Sequence, residues 1–150
     1  MKKFSGSTIC KLDNSGRLKL PPNAVADFKS VDPSGKVILK FLAEGAIAVI
    51  PASSWPQEPQ EISVKDYLTN PAARHRLRKE IFFFTEDEIS QQGRLTLSST
   101  LLERIGVKAG GDVALIGFQF GYEIWNPTAL NTEVDKEISQ DRTTFEESRE

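Results

Sequence analysis

The sequence predicts a mainly β chain with short helices, built as two tandem copies of one unit that share one pseudo-symmetric core. Three observations lead there. A tight turn ending in Gly16-Arg17 recurs as Gly93-Arg94, with the arginines 77 positions apart in 150 residues. Glycines fall in step at an offset of 76, Gly35 with Gly111 and Gly45 with Gly121. Short alternating runs bounded by Gly, Pro, Asn and Asp fill most of the chain, which is the pattern of strands joined by turns.

The first turn is Leu12-Asp13-Asn14-Ser15-Gly16-Arg17-Leu18-Lys19-Leu20-Pro21. It reads as strand, turn and strand, with Phe4–Leu12 and Arg17–Leu20 as the arms of a hairpin. Gly16 supplies a position that tolerates positive φ. Asp13 is placed to accept bonds from the turn backbone. Along the following strand Leu18 and Leu20 face one side, and Arg17 and Lys19 the other. Two cations therefore stand on a solvated face, with Asp13 close enough to restrain Arg17.

Pro21-Pro22-Asn23 opens a short helix over residues 24–28. Val37, Leu39 and Phe41 alternate with Lys36, Ile38 and Lys40 as a strand. Residues 46–50 form another, and Pro51 ends it. Residues 51–61, rich in Pro, Ser and Gln, read as a linker. Asn70-Pro71 starts a helix in which Ala73, Leu77, Ile81 and Phe84 share one face. Arg74, Arg76, Arg78 and Lys79 take its other faces and read as solvated charge ahead of a direct contact to DNA. His75, with no ligand-type neighbour at a useful spacing, reads as surface.

The second half repeats the scheme. Ile89-Ser90-Gln91-Gln92-Gly93-Arg94 is the turn, and Arg94–Leu97 alternates. Ser98-Ser99 caps a helix over residues 101–105 that Gly106 stops. Residues 112–118 and 121–125 form a hairpin. Asn126-Pro127 opens a last helix to about Ile138, followed by a polar acidic tail, 139–150, expected to be disordered. The divisions are a first module at 1–56, a linker with the basic helix at 57–80, a second module at 81–138 and the tail.

Composition narrows the function. The net charge of −2 conceals +5 in residues 1–40 and −4 in residues 131–150. A basic front is compatible with nucleic acid at one end. The single cysteine, Cys10, excludes an internal disulfide, fits a reducing compartment and reads as a small buried residue. Nothing resembles a membrane span or a signal peptide. One His, one Cys and no acid–base pair at a plausible spacing leave little for an enzyme to use. No phosphate loop or metal-ligand cluster is present, so no cofactor is expected. Phe82, Phe83 and Phe84 are consecutive and cannot all face one core. At least one is expected at a contact between copies of the chain.

At Asp13-x-x-Gly16-Arg17 followed by Leu-x-Leu-Pro, with Gly93-Arg94, the sequence resembles the MraZ family of bacterial transcription regulators. Asn70-Pro71-Ala72-Ala73-Arg74 running into Ile81-Phe82-Phe83-Phe84, and Tyr122-Glu123-Ile124-Trp125, extend the likeness from residue 4 to about 138. The resemblance implies two tandem AbrB-like swapped-hairpin modules. It implies a ring-like homo-oligomer, an octamer or a dodecamer, in the cytoplasm at the nucleoid. Its partner would be double-stranded DNA with short direct repeats upstream of a cell-division and cell-wall gene cluster. The implied DNA-binding residues are Asp13, Asn14, Ser15, Gly16, Arg17 and Lys19 in the first turn, and Gln91, Gln92, Gly93 and Arg94 in the second. Ser90 stands where the second aspartate would be. The alternative is a protein-binding module of antitoxin type. Antitoxins of that fold carry one module and a long partner-binding tail, whereas two modules fill this chain.

Overall fold

A computed structural model of the chain describes residues 3–55 and 61–149, with the backbone alone at 80–83. Its larger sheet holds six antiparallel strands: β1 (Ser7–Lys11), β3 (Lys36–Phe41), β4 (Ile47–Pro51), β5 (Phe84–Glu88), β7 (Asp112–Gly117) and β8 (Tyr122–Trp125). They lie in the order β1-β7-β8-β4-β3-β5. A separate ribbon pairs β2 (Arg17–Lys19) with β6 (Arg94–Thr96). The sheet order is palindromic under the duplication, which exchanges β1 with β5, β3 with β7 and β4 with β8.

The leading strand of each half is given to the other half. β1 pairs with β7, Cys10 opposite Val113, and β5 pairs with β3, Val37 opposite Asp87. Neither half closes its sheet alone, so the two build one core. Leu18, Leu20, Val37, Leu39, Leu95, Leu97, Val113 and Leu115, expected inside from alternation, are all buried in one cluster.

The simple hairpin expected from Phe4–Leu12 and Arg17–Leu20 is corrected by this exchange. Leu12 and Leu18 share a single bridge, and β1 and β2 then diverge, β1 to the large sheet and β2 to the ribbon. The reason is packing. Ribbon and sheet each present an apolar face to the same core, and one two-stranded hairpin could not cover it.

Helix α1 (Pro22–Val31) follows β2 and buries Ala24 and Phe28, one turn apart. Its counterpart α4 (Ser99–Ile105) follows β6 and buries Leu101, Leu102 and Ile105. Ser98 Oγ accepts from the Leu101 N–H, and Gly106 ends α4 at φ 72°. Ile38, expected on the polar side of β3, is buried instead. That part of the outer face is covered, and strands covered on both sides lose their alternation.

Two further helices precede β5. α2 (Val64–Thr69) is absent from the sequence reading, yet Ser63-x-x-Asp66 marks its start, Ser63 Oγ accepting from the Asp66 N–H. α3 (Pro71–Phe83) is the basic helix, capped by Asn70 as expected. It ends at Phe83. Phe84 belongs to β5, not to the apolar face of the helix, and its half-buried ring meets Trp55 edge-on at 5.0 Å. The side chains of Phe82 and Phe83, and residues 56–60 of the expected linker, lie outside the described residues. The last helix, α5 (Pro127–Ser148), overturns the expected stop near Ile138 and the disordered tail: it runs ten residues further. Acidic composition did not prevent a helix that Asn126 and Pro127 start well.

Candidate nucleic-acid interface

Each ribbon strand is launched by one of the two turns. In the first, Asp13 Oδ1 accepts from the N–H groups of Ser15 and Arg17 at 2.8 and 2.9 Å. Its Oδ2 accepts from Arg17 Nε at 2.8 Å. One carboxylate thus shapes the turn and aims the guanidinium, leaving the two terminal nitrogens of Arg17 outward. Gly16 sits at φ 79° with its Cα facing the Leu97 carbonyl; a Cβ there would meet that oxygen at 3.0 Å. Asn14 and Ser15 are exposed, and the Asn14 side chain lies beside Gly110 of the opposite half.

The second turn has the same backbone with a weaker clamp. Ser90 Oγ accepts from the Arg94 N–H at 3.0 Å, as Asp13 does for Arg17, but a hydroxyl gives the Arg94 guanidinium no ionic partner. Gly93 adopts φ 75° and fits against Val25. Gln91 and Gln92 are exposed.

The ribbon register then joins the two turns. Arg17 lies opposite Thr96, Leu18 opposite Leu95, and Lys19 opposite Arg94. Leu18 and Leu95 are counterparts in the duplication, so the pseudo-dyad passes between them. Both are fully buried. The outer face carries Arg17, Lys19, Arg94 and Thr96. Lys19 also donates across the ribbon to the Gln92 carbonyl, tying the first strand to the second turn. Alternation puts Lys19 on the face of Arg17 and Thr96 on the face of Arg94; what it does not disclose is that Lys19 faces Arg94 and Arg17 faces Thr96. The signal was available in the duplication, because a strand paired with its own counterpart must meet it at equivalent positions.

The acids upstream of the second turn do not belong to this face. Glu86, Asp87 and Glu88 form the edge strand β5, and Glu88 is paired with Lys36. Asp13 is held below the ordinary aspartate value near 3.8, first by the Arg17 N–H; desolvation opposes this less strongly, and the Ser15 N–H and the Arg17 side chain each add a smaller pull downward. With a folded pKa below the unfolded one, the clamp is complete above the ordinary value and is lost only as pH falls through the lowered one. An NMR titration of the Asp13 carboxyl should give a midpoint below 3.8. A midpoint at or above it would mean that Arg17 is not held in solution.

Cys10 is buried, and desolvation pushes its thiol upward, away from the reactive thiolate. His75 is exposed. Among the described residues no three His, Cys, Asp or Glu side chains are grouped to hold a metal ion, and no helix is long and apolar enough to cross a membrane.

No family model matches the chain. Whole-length relatives do. A protein named transcriptional regulator MraZ from Idiomarina loihiensis is 28% identical over 141 residues, 93% of this chain and 90% of the relative. Another of that name from Pseudoalteromonas translucida is 26% identical over 139 residues, 93% of this chain and 90% of its own. A third, from Serratia proteamaculans, is 26% identical over 144 residues, 95% and 92%. From end to end, and not only at its two Gly-Arg turns, the chain is similar to the transcriptional regulators named MraZ.

Proposed function

We propose that the chain is a DNA-binding transcriptional regulator of MraZ type that lays the outer face of its β2–β6 ribbon on duplex DNA. The observation that carries this is the pairing of Lys19 with Arg94, with Arg17 on the same face. Like charges directly opposite on a ribbon are destabilising, and no ribbon position on that face is acidic. A phosphate backbone relieves the repulsion, while a side chain that reaches a base edge adds specificity. A two-stranded ribbon also fits the width of a major groove.

One such ribbon offers few contacts. Several copies linked in one assembly make later contacts intramolecular, which favours sites repeated along the duplex. The resemblance supports the finer reading: a ring-like homo-oligomer, octamer or dodecamer, on short direct repeats upstream of a cell-division and cell-wall gene cluster, in the cytoplasm at the nucleoid. Asp13 to Arg17, Lys19, and Gln91 to Arg94 are its DNA-binding residues in this reading. The names of the relatives agree with regulation rather than catalysis.

The test is a binding titration at several salt concentrations, using duplexes from the protein's own genomic neighbourhood with and without repeats. Three cations that each neutralise one phosphate give a log–log slope of roughly −3 per engaged ribbon, since each contact contributes about −0.9. Preference for the repeat-containing duplex is expected above that background. Failure to retain any duplex at low salt would remove the reading.

A further inference from the structure

We propose that the distal half of α5 docks head-to-tail on the α2–α3 arm of a second copy of this chain, so that an acidic helix stripe seals a basic, apolar arm. This rests on the oligomeric part of the reading above and names the surfaces that make it.

The first surface is the helix itself. Ala129 and Leu130 pack on Ala46, Ala114 and Trp125, and no residue of α5 is fully buried. Beyond Leu130 the helix belongs to neither core cluster among the described residues. A lone helix of this length is marginal in water, because helices draw most of their stability from packing one face. Yet this segment has such a face. Val134, Ile138 and Phe145 follow at spacings of four and seven, so they form one stripe, and they are 41%, 46% and 61% exposed. The flanks are acidic: residues 131–148 hold six Asp and Glu against Lys136 and Arg142.

The second surface has the opposite sign. α2 presents Val64, Tyr67 and Leu68 at i, i+3 and i+4, with Val64 77% and Leu68 67% exposed. Arg74 fixes α2 against α3 by donating to the carbonyls of Tyr67 and Leu68. Residues 64–83 carry five Lys and Arg against Asp66 and Glu80. Pairing α5 with another α5 would face acid with acid, and pairing the arm with itself would face base with base. Only the mixed contact joins opposite charges.

Within one chain the two surfaces start from opposite sides of the sheet. α5 packs beside β7, near one edge of the sheet, while α3 packs on β3 and β5 at the other edge. A contact between two different surfaces of identical subunits is heterologous, and it closes into a ring when its rotation allows. Each copy therefore offers one helix forward and one arm behind.

The experiment uses the full-length protein, with light scattering for mass and duplex retention for DNA binding on the same samples. Wild type should be an oligomer. Ile138→Ser with Phe145→Ser should raise the concentration needed for assembly by roughly 100-fold, since two half-exposed apolar side chains lose their cover. Its sheet should remain folded by circular dichroism. Glu137→Lys with Asp141→Lys should also disassemble the protein, as should Arg78→Glu with Lys79→Glu. Combining the two charge reversals should restore assembly, a result that simple misfolding cannot give. An oligomeric wild type whose mass none of these variants changes would overturn the docking and leave the ring reading standing. A monomeric wild type at micromolar concentration would overturn both, while duplex retention would still report on the ribbon.

Discussion

Replacing Arg17 by Ala should weaken binding to a repeat-containing duplex by about 1–3 kcal/mol per engaged subunit if the guanidinium reads a base edge. That is roughly 5- to 150-fold per contact, and the substitution is present in every subunit. With two subunits engaged the losses multiply, and detectable binding should vanish at moderate salt. The expectation comes from geometry. Asp13 occupies Arg17 Nε, and among the described residues no partner takes the terminal nitrogens. That edge carries two parallel donors and can pair bidentately with a guanine. An arginine already aimed loses less rotational freedom on binding than a loose one.

Arg94→Ala should cost less and act differently. Ser90 holds the Arg94 backbone but gives its guanidinium no ionic partner. A long, unclamped cation suits a phosphate, so its loss should lower affinity alike on all duplexes and shrink the salt slope by about one contact. Lys19→Ala combines two effects. It removes a charge, and it releases the tie to the Gln92 carbonyl that positions the second turn. Competition titrations of the three variants against cognate and shuffled duplexes separate these roles. Equal losses of specificity from Arg17→Ala and Arg94→Ala would show that the carboxylate clamp does not rank the two turns.

Much of this arrangement is legible in the sequence because duplication repeats its signals. Asp13, Gly16 and Arg17 fixed one turn, and Ser90, Gly93 and Arg94 repeated it with one change, which the backbone bonds then matched. Caps were readable for the same local reason: Asn70, Ser98 and Asn126 each accept from a first-turn N–H. What alternation could not disclose was partner choice. The side-chain period of a strand says which face is buried, not which strand lies beside it. So Leu18 was expected inside, but that it would lie against Leu95, and bring Lys19 to Arg94, depended on contacts remote in sequence. Ile38 failed for a related reason, since its cover came from outside the sheet. The end of α5 failed because polar composition speaks against a core, not against a helix.

The Leu18–Leu95 pair ties the cationic face to the fold, and truncating it should give the largest loss of stability in the ribbon. Both side chains are fully buried where the pseudo-dyad crosses, under Arg17, Lys19 and Arg94. Leu18→Ala should cost about 3–5 kcal/mol, the lost transfer energy plus the cavity left behind. Against a total of about 5–15 kcal/mol, that is a large fraction. For a chain of this size it corresponds to a drop in Tm of roughly 6–20 °C at fixed protein concentration. Leu95→Ala should cost a similar amount, because it is the counterpart across the dyad. The two together should cost less than their sum, since the second truncation enlarges a cavity already opened, and a coupling of about 0.5–3 kcal/mol is expected for such neighbours. Each single variant should still melt in one transition, because the exchange of β1 and β5 leaves neither half with a complete sheet. Urea melts followed by both tryptophan fluorescence and circular dichroism measure all of this. Two separated transitions would show that the halves fold independently. Additive losses would place Leu18 and Leu95 out of contact in solution, and with that would go the register that sets Lys19 against Arg94.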